Sequence, residues 1–320
     1  MPANRLAEKL GDRVILVLGT VTAAIGYGIA GLSGGLFGLG VALSLAGAGS
    51  SAQHPIGSGI VSRLNGQSAR GPLGVYNFAG DLGKAVLPGA TSLLLVAVSW
   101  HVALCMVAAL GLGVAILIAI LLPDVDRTTS SIRTRNHPQA ESKRFILLLV
   151  IGILDTGVRM GLLIFLPFIL KGKGAPLPMI GFGLALVFMG GASGKFICGW
   201  LGARMGVLWS VVLTETGTAA AIFVLLLLPL CATWIMLPAL GALLNGTSSI
   251  LYGTVPEVAP PGQTEHAFAI FYTGVIGSGA LFPILYGFLG DMVGINWATV
   301  ATAGTALAIL PLAFALAAEL

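Results

Sequence analysis

Residues 45–89 read LAGAGSSAQHPIGSGIVSRLNGQSARGPLGVYNFAGDLGKAVLPG. Two apolar, glycine-dense helices are predicted here, joined by a short polar turn over 63–71. Within the apolar parts sit His54, directly before Pro55, and Asp81, three residues ahead of Lys84. Such polar groups are costly in hydrocarbon and face a protein interior or a water-filled path. The glycines let helix backbones approach closely, as lipid-embedded helices do where they pack. Together these features read as part of a pathway through a membrane.

The composition agrees. Of 320 residues 57% are hydrophobic and only 9% charged, with mean hydropathy +0.99, whereas soluble domains carry about 25% charged residues. The chain is therefore expected to be an all-α polytopic membrane protein whose solvent is the lipid bilayer. The net charge of +4 does not point to nucleic acid, because the basic residues fall in short loops rather than one patch. Cys105, Cys198 and Cys231 have neither metal-site nor disulfide spacing and read as small packing residues. No cofactor or metal is implied. The first apolar run, 14–32, is too long for a signal-peptide core and lacks a cleavage site.

A spanning helix needs about 20 mostly apolar residues. Ten such runs occur, near 13–32, 36–62, 72–97, 100–122, 145–170, 178–200, 207–229, 233–255, 266–289 and 296–317. A charged linker, 123–144, divides the chain into an N-terminal four-helix half (1–122) and a C-terminal six-helix half (145–320). One set of alternate loops carries Arg5, Lys9, Arg13, Arg63, Arg70, Arg127, Arg133, Arg135, Lys143, Arg144 and Arg204. The opposite set carries only Lys171 and Lys173. This asymmetry places both termini and the linker in the cytoplasm of a cell (inner) membrane.

The chain also repeats itself. Residues 6–11, LAEKLG, match 201–206, LGARMG, at an offset of 195, which also relates Tyr76…Pro88 to Phe271…Pro283. Ser99-Trp100 and Asn296-Trp297 correspond at an offset of 197. Two parallel six-helix halves related by such a repeat are one transporter plan.

Residues 6–13, LAEKLGDR, resemble the later part of the cytoplasmic loop motif G-x-L-A-D-R-x-G-R-K of the major facilitator superfamily. Glu8, Gly11 and Arg13 fall on that motif, and Gly199, Arg204 and Gly206 on its second copy, where Ala203 replaces the acidic residue. Residues 49–55, GSSAQHP, followed by Ser58, Val61 and Arg63, are similar to the fosmidomycin resistance group of drug exporters. So is the glycine-rich run 79–83, AGDLG, although Asp81 and Lys84 depart from that group. The resemblance implies a bundle of four plus six helices, without the family's first two. It also implies secondary active transport, as proton-coupled efflux by an antiporter of a drug-like compound, with drug resistance as its consequence; Arg159 adds an anionic compound as the expected substrate. A transport-inactive shortened family member remains the alternative.

Several polar residues are candidates for the substrate or proton path. His54 either caps a carbonyl freed by Pro55 or titrates near neutral pH as a proton acceptor. Asp81 and Lys84 share a helix face and form either an internal ion pair or part of the path. Asp155 and Arg159, at i,i+4 in the middle of an apolar run, line the central cavity by position in the resembled family. An anionic group docking on Arg159 then weakens the pair and favours a proton on Asp155, so that substrate and proton movement are linked. The bland alternative is a structural pair that closes a helix interface. Lys195 is able to snorkel to the interface, with Glu215 read as a structural partner of Lys195 or Arg204. Asp291 reads as an interfacial loop residue. Asn245, Tyr76, Asn77, Tyr252, Tyr272 and Thr273 are uncharged candidates for lining the cavity.

An intramembrane enzyme is the competing class. Residues 191–194, GASG, match the G-x-S-G of rhomboid-type proteases, but so do 31–34, GLSG, in a chain with 46 glycines. A serine nucleophile needs a base within hydrogen-bond reach, and no histidine sits mid-span on a plausible partner helix. H-E-x-x-H and phosphate-binding loops are absent from the sequence. Transport without ATP is the better reading.

Overall fold

The computed structural model describes residues 7, 9–65, 70–123, 143–259 and 264–319, and all regular structure there is helical. Some side chains within these helices, those of His54, Asn77 and Asp81 among them, lie outside the described residues, as does Glu8. So does the expected linker, apart from Pro123, Lys143 and Arg144.

The helices are α1 (Asp12–Leu32), α2 (Leu36–Ser50), α3 (Gln53–Asn65), α4 (Arg70–Ala97), α5 (Trp100–Leu121), α6 (Lys143–Gly172), α7 (Leu177–Leu227), α8 (Leu230–Val258), α9 (Thr264–Val293) and α10 (Ile295–Ala317). Among the described residues eight helical segments are long and apolar enough to cross a membrane, and α7 supplies two of them, Leu177–Cys198 and Arg204–Leu227. Leu36–Ser50 and Leu82–Ala97 are shorter apolar helices. Helix is thus found at all ten predicted spans, with one break. The run expected at 36–62 turns at Ser51 and Ala52, where Pro55 has no N–H for the Ser51 carbonyl one turn back.

Large apolar side chains point outward along these helices, among them Phe196, Leu227 and Ile235, each more than four-fifths exposed. Such a surface is stable in lipid and a liability in water.

The chain forms two compact units, Met1–Gly80 with Leu93–Asn136, and Asp81–Ser92 with His137–Leu320. In the first, α1 packs on α2, α3 and α5 through small residues: Gly19 against Gly49, Gly26 against Ala42 and Ala46, and Gly31 against His101 and Cys105. Arg13 donates to the Ala119 carbonyl in the last turn of α5, where a cation meets the negative end of the helix dipole.

In the second unit α6 contacts α7, α8, α9 and α10. Gly190 and Gly194 of α7 lie against the Pro238 and Ala242 carbonyls, and Gly241 lies against the Val187 carbonyl, so α7 and α8 meet backbone to backbone. Aromatic rings fill the glycine notches of α6: Phe271 at Gly152, Phe282 at Gly157 and Tyr286 at Gly161.

The sequence repeat has a backbone counterpart. Gly11 begins α1 at φ 89°, ψ 149°, and Gly206, at an offset of 195, bends α7 at φ 78°, ψ 169°. Both torsions lie where a Cβ is strained. The glycine of the loop motif therefore sets the same change of direction in both copies. Pro88 and Pro283 likewise both sit inside helices, α4 and α9.

A buried polar layer as candidate functional site

On three helices of the second unit a polar residue interrupts an otherwise apolar core at the same level. On α6 it is Asp155, between Ile151 and Val158. On α7 it is Glu215, between Val211 and Ala219, and on α8 it is Thr247, between Leu244 and Ile250. The apolar residues on one side of this layer belong to one core cluster, with Leu162, Ile222 and Leu237. Those on the other side belong to a second, with Leu148, Leu251 and Phe271. Asp155, Glu215 and Thr247 are 4%, 2% and 1% exposed, so water solvates none of them and each must find its partners inside the protein.

They find one another. The carboxyl groups of Asp155 and Glu215 lie close enough to act on each other electrostatically. Thr247 Oγ1 lies 2.7 Å from Glu215 Oε1 and 2.7 Å from Thr214 Oγ1, and Thr214 Oγ1 donates to the Ser210 carbonyl at 2.8 Å.

Arg159, one turn along α6 and half-buried, acts electrostatically on both carboxyls. Its described hydrogen bond goes to Thr156 Oγ1 at 3.1 Å, not to Asp155. The i,i+4 partners expected from the sequence are therefore not in ion-pair contact, because burial turns Asp155 towards α7 while the guanidinium stays at the edge. Tyr252 of α8 lies within electrostatic reach of Asp155, Arg159 and Tyr272. Its ring packs 5.0 Å from Tyr272 and 5.3 Å from Phe271, both of α9.

The other candidates lie elsewhere. Asn245 donates to the Gly241 carbonyl at 3.0 Å and fills the space beside Gly191, in the seam between α7 and α8. Tyr76 is half-buried and donates to the Gln53 carbonyl at 3.4 Å, while Gln53 Nε2 donates to Thr20 at 3.2 Å. These two bonds tie α4, α3 and α1 within the first unit. Lys84 and Arg204 are exposed. The pairing of Asp81 with Lys84, and any role of His54 or Asn77, concern side chains outside the described residues.

Glu215, expected as a structural partner of Lys195 or Arg204, accepts from Thr247 Oγ1 at 2.7 Å and lies within electrostatic reach of Asp155 and Arg159. Its signal was in the sequence, as the one carboxylate of α7, near the midpoint of Arg204–Leu227. Thr247 and Thr214 gave no comparable signal, because threonine is common in apolar helices. Among the described residues no cluster of His, Cys, Asp or Glu could hold a metal.

A family model described as Major Facilitator Superfamily matches residues 1–153. No curated protein sequence matches the chain. Among solved structures, a bacterial homologue of the human lysosomal transporter Spinster, inward-facing and occupied, is similar with a TM-score of 0.79 and 15% identity. That match covers 100% of this chain and 85% of the other. The same homologue in its inward-facing, unoccupied form gives a TM-score of 0.79 at 15% identity, covering 98% and 85%. The E. coli fucose:proton symporter gives 0.63 at 15% identity, covering 99% and 86%. The chain is an integral membrane protein with the helical fold of major facilitator transporters.

Proposed function

We propose that this protein is a secondary active transporter that moves a small anionic or amphipathic molecule in exchange for, or together with, protons. The observation that carries the reading is the buried Asp155–Glu215 pair beside a half-buried arginine, in a fold shared with known transporters. The carboxyls are placed to hold a proton in a dry layer. Arg159 keeps most of its five donors for an anionic group, and the Tyr252 and Tyr272 rings offer an apolar, polarizable flank. The family model over residues 1–153 supports small-molecule transport in general, and the GSSAQHP resemblance favours export of a drug-like compound across the cell (inner) membrane, with 1–122 and 145–320 read as the two halves.

The sign of coupling follows from the charges. An anion on Arg159 and a proton on the adjacent carboxyls stabilise each other, so they bind together and travel in one direction. Export against proton entry instead requires substrate and proton to compete for the carboxyls, as a cationic or neutral compound would. Purified protein in proteoliposomes, challenged with a panel of carboxylates, phosphonates and amphipathic cations under an imposed pH gradient, distinguishes these. Alkalinisation outside during uptake of an anion marks co-movement, and acidification during uptake of a cation marks exchange. Gradient-driven flux that is unchanged in Asp155→Asn removes the coupling role.

A further inference from the structure

At the end of the second unit opposite Lys143 and Glu319, a cavity of about 530 Å³ opens between α6, α7 and the junction of α9 with α10. Its volume falls within the range of about 300–1,000 Å³ that holds small ligands. Four apolar segments end in its walls. Gly172 closes Lys143–Gly172, Leu226 is the last residue but one of Arg204–Leu227, Val293 closes Ile270–Val293, and Ile295 opens Ile295–Ala317. A spanning helix leaves the hydrocarbon where its apolar run stops, so the cavity lies at the level of the lipid headgroups. Trp297, also in the wall and more than two-thirds exposed, is of the residue type enriched at that level.

The charge in the wall comes from Lys173, one residue beyond the α6 span. Its ammonium donates to the Leu226 carbonyl at 3.3 Å and to the Leu228 carbonyl, which the last turn of α7 leaves without helical donors. Two of its three donors are used in this way, and one N–H remains. The carbonyls hold the ammonium against the wall instead of out in water. Partial burial there lowers the Lys173 pKa from its ordinary value, and a neighbouring anion offsets that penalty. No carboxylate among the described residues lines the cavity; Asp291, exposed on the last turn of α9, is not part of the wall.

One cation among apolar walls at the membrane boundary suits an anion that carries its own apolar part. A small soluble anion satisfies Lys173 but leaves the walls wet. The apolar surface also continues towards the bilayer centre, through the exposed side chains of Phe168 in the wall and Ile164 one turn further along α6. We propose that this cavity binds an anionic phospholipid, its phosphate on Lys173 and its acyl chains along the Phe168–Ile164 face of α6. The lipid bridges the ends of α6, α7 and α10. This site is separate from the carboxyl layer and does not depend on the transport reading.

The test is native mass spectrometry of the full chain in detergent, titrated with phosphatidylglycerol, with phosphatidylcholine, and with phosphatidylglycerol in the presence of inorganic phosphate. One phosphatidylglycerol is expected to bind more tightly than any further copy and more tightly than phosphatidylcholine. Lys173→Gln is expected to weaken this first binding about tenfold, as the loss of one charge-assisted contact does, and Lys173→Arg to keep it. Gly172→Trp adds a ring where a Cβ meets nothing within 4 Å. It is expected to weaken the first binding as much, by filling the cavity while Lys173 stays in place, and is read alone should Lys173→Gln fail to fold. Lys171→Gln removes the same charge from an exposed position outside the wall and is expected to leave the binding unchanged. First binding that is unchanged in either folded cavity variant, or weakened equally by Lys171→Gln, overturns the proposal. So does equal affinity for phosphatidylcholine, or displacement of the lipid by inorganic phosphate, which would make this a site for a soluble anion.

Discussion

In the first compact unit, α1 meets α2 and α5 through Gly19, Gly26, Gly31, Gly49 and the alanines opposite them, and the described bonds between helices there tie backbone or neutral groups to single side chains. In the second, α6 meets its neighbours through aromatic rings seated in glycine notches, and a layer of carboxyls and hydroxyls lies between two apolar clusters. Both are packed as membrane helices pack, by close backbone approach and dispersion rather than by hydrophobic exclusion from water. The difference lies in what the tight packing encloses. Around α1 it encloses small apolar surface, which only needs to fit. Around α6 it encloses groups whose proton count must be settled inside the protein, because water cannot settle it.

The comparison predicts that bulk is resisted in both units and that removal of a polar group matters most in the second. The largest effect is expected for Gly190→Leu or Gly241→Leu, whose new side chain would meet the facing backbone carbonyl of Pro238 or Val187. Gly26→Leu meets the backbone of Ala42 and Ala46. Each is expected to cost at least about 3 kcal/mol by overpacking against atoms that cannot rotate away, read as loss of folded protein on detergent size-exclusion. Equal tolerance of Leu at Gly113, beside which nothing lies within 4 Å, and at Gly190 would contradict the close seam.

Next in size is Arg159→Gln. Its described hydrogen bond to Thr156 is worth little, so folding is expected to survive with a change of about 1 kcal/mol or less. Flux of organic anions is expected to fall at least about tenfold through KM, in line with a lost charge-assisted contact. Loss of folded protein without any effect on anion flux per folded molecule would make Arg159 structural. Smaller again is Thr247→Val, which leaves Glu215 short of one buried partner, at about 1–2 kcal/mol of stability. The matched change in the first unit, Thr20→Val, removes only a bond to its own helix carbonyl and a partner of Gln53. A thermal-shift comparison should rank Thr247→Val as the more damaging.

The smallest effect is expected outside the spans, at Lys143 and Glu319, whose charged groups lie 2.6 Å apart. The hydrogen bond and charge of Lys143 hold the Glu319 carboxyl below its ordinary range. The pair therefore adds stability above the usual carboxylate range, and that contribution is lost as pH falls through the lowered value. Being exposed, it is weak. Glu319→Gln should flatten only this acid limb of the stability profile, and an effect at neutral pH larger than that of Thr247→Val would reverse the order.

The sequence by itself determined the class of this protein and the positions of its helices, because lipid leaves no alternative: a run of about 20 apolar residues must satisfy its backbone within one helix. The repeat at 195 residues was also legible, since Gly11 and Gly206 keep the one residue type suited to a positive φ. Asp155 and Arg159 stood out because charge in an apolar run is rare. What they contact was not determined locally. Helical spacing brought them to one face and so favoured each other as partners, yet Asp155 faces Glu215, sixty residues on and on another helix. Only the tertiary structure decided that, by setting α6, α7 and α8 in a register that brings Asp155, Glu215 and Thr247 to one level. Periodicity along a helix fixes which way a side chain faces, but its partner depends on how far the neighbouring helix has slid. That depends on glycines such as Gly190, Gly194 and Gly241, whose close contacts appear only once the helices are packed.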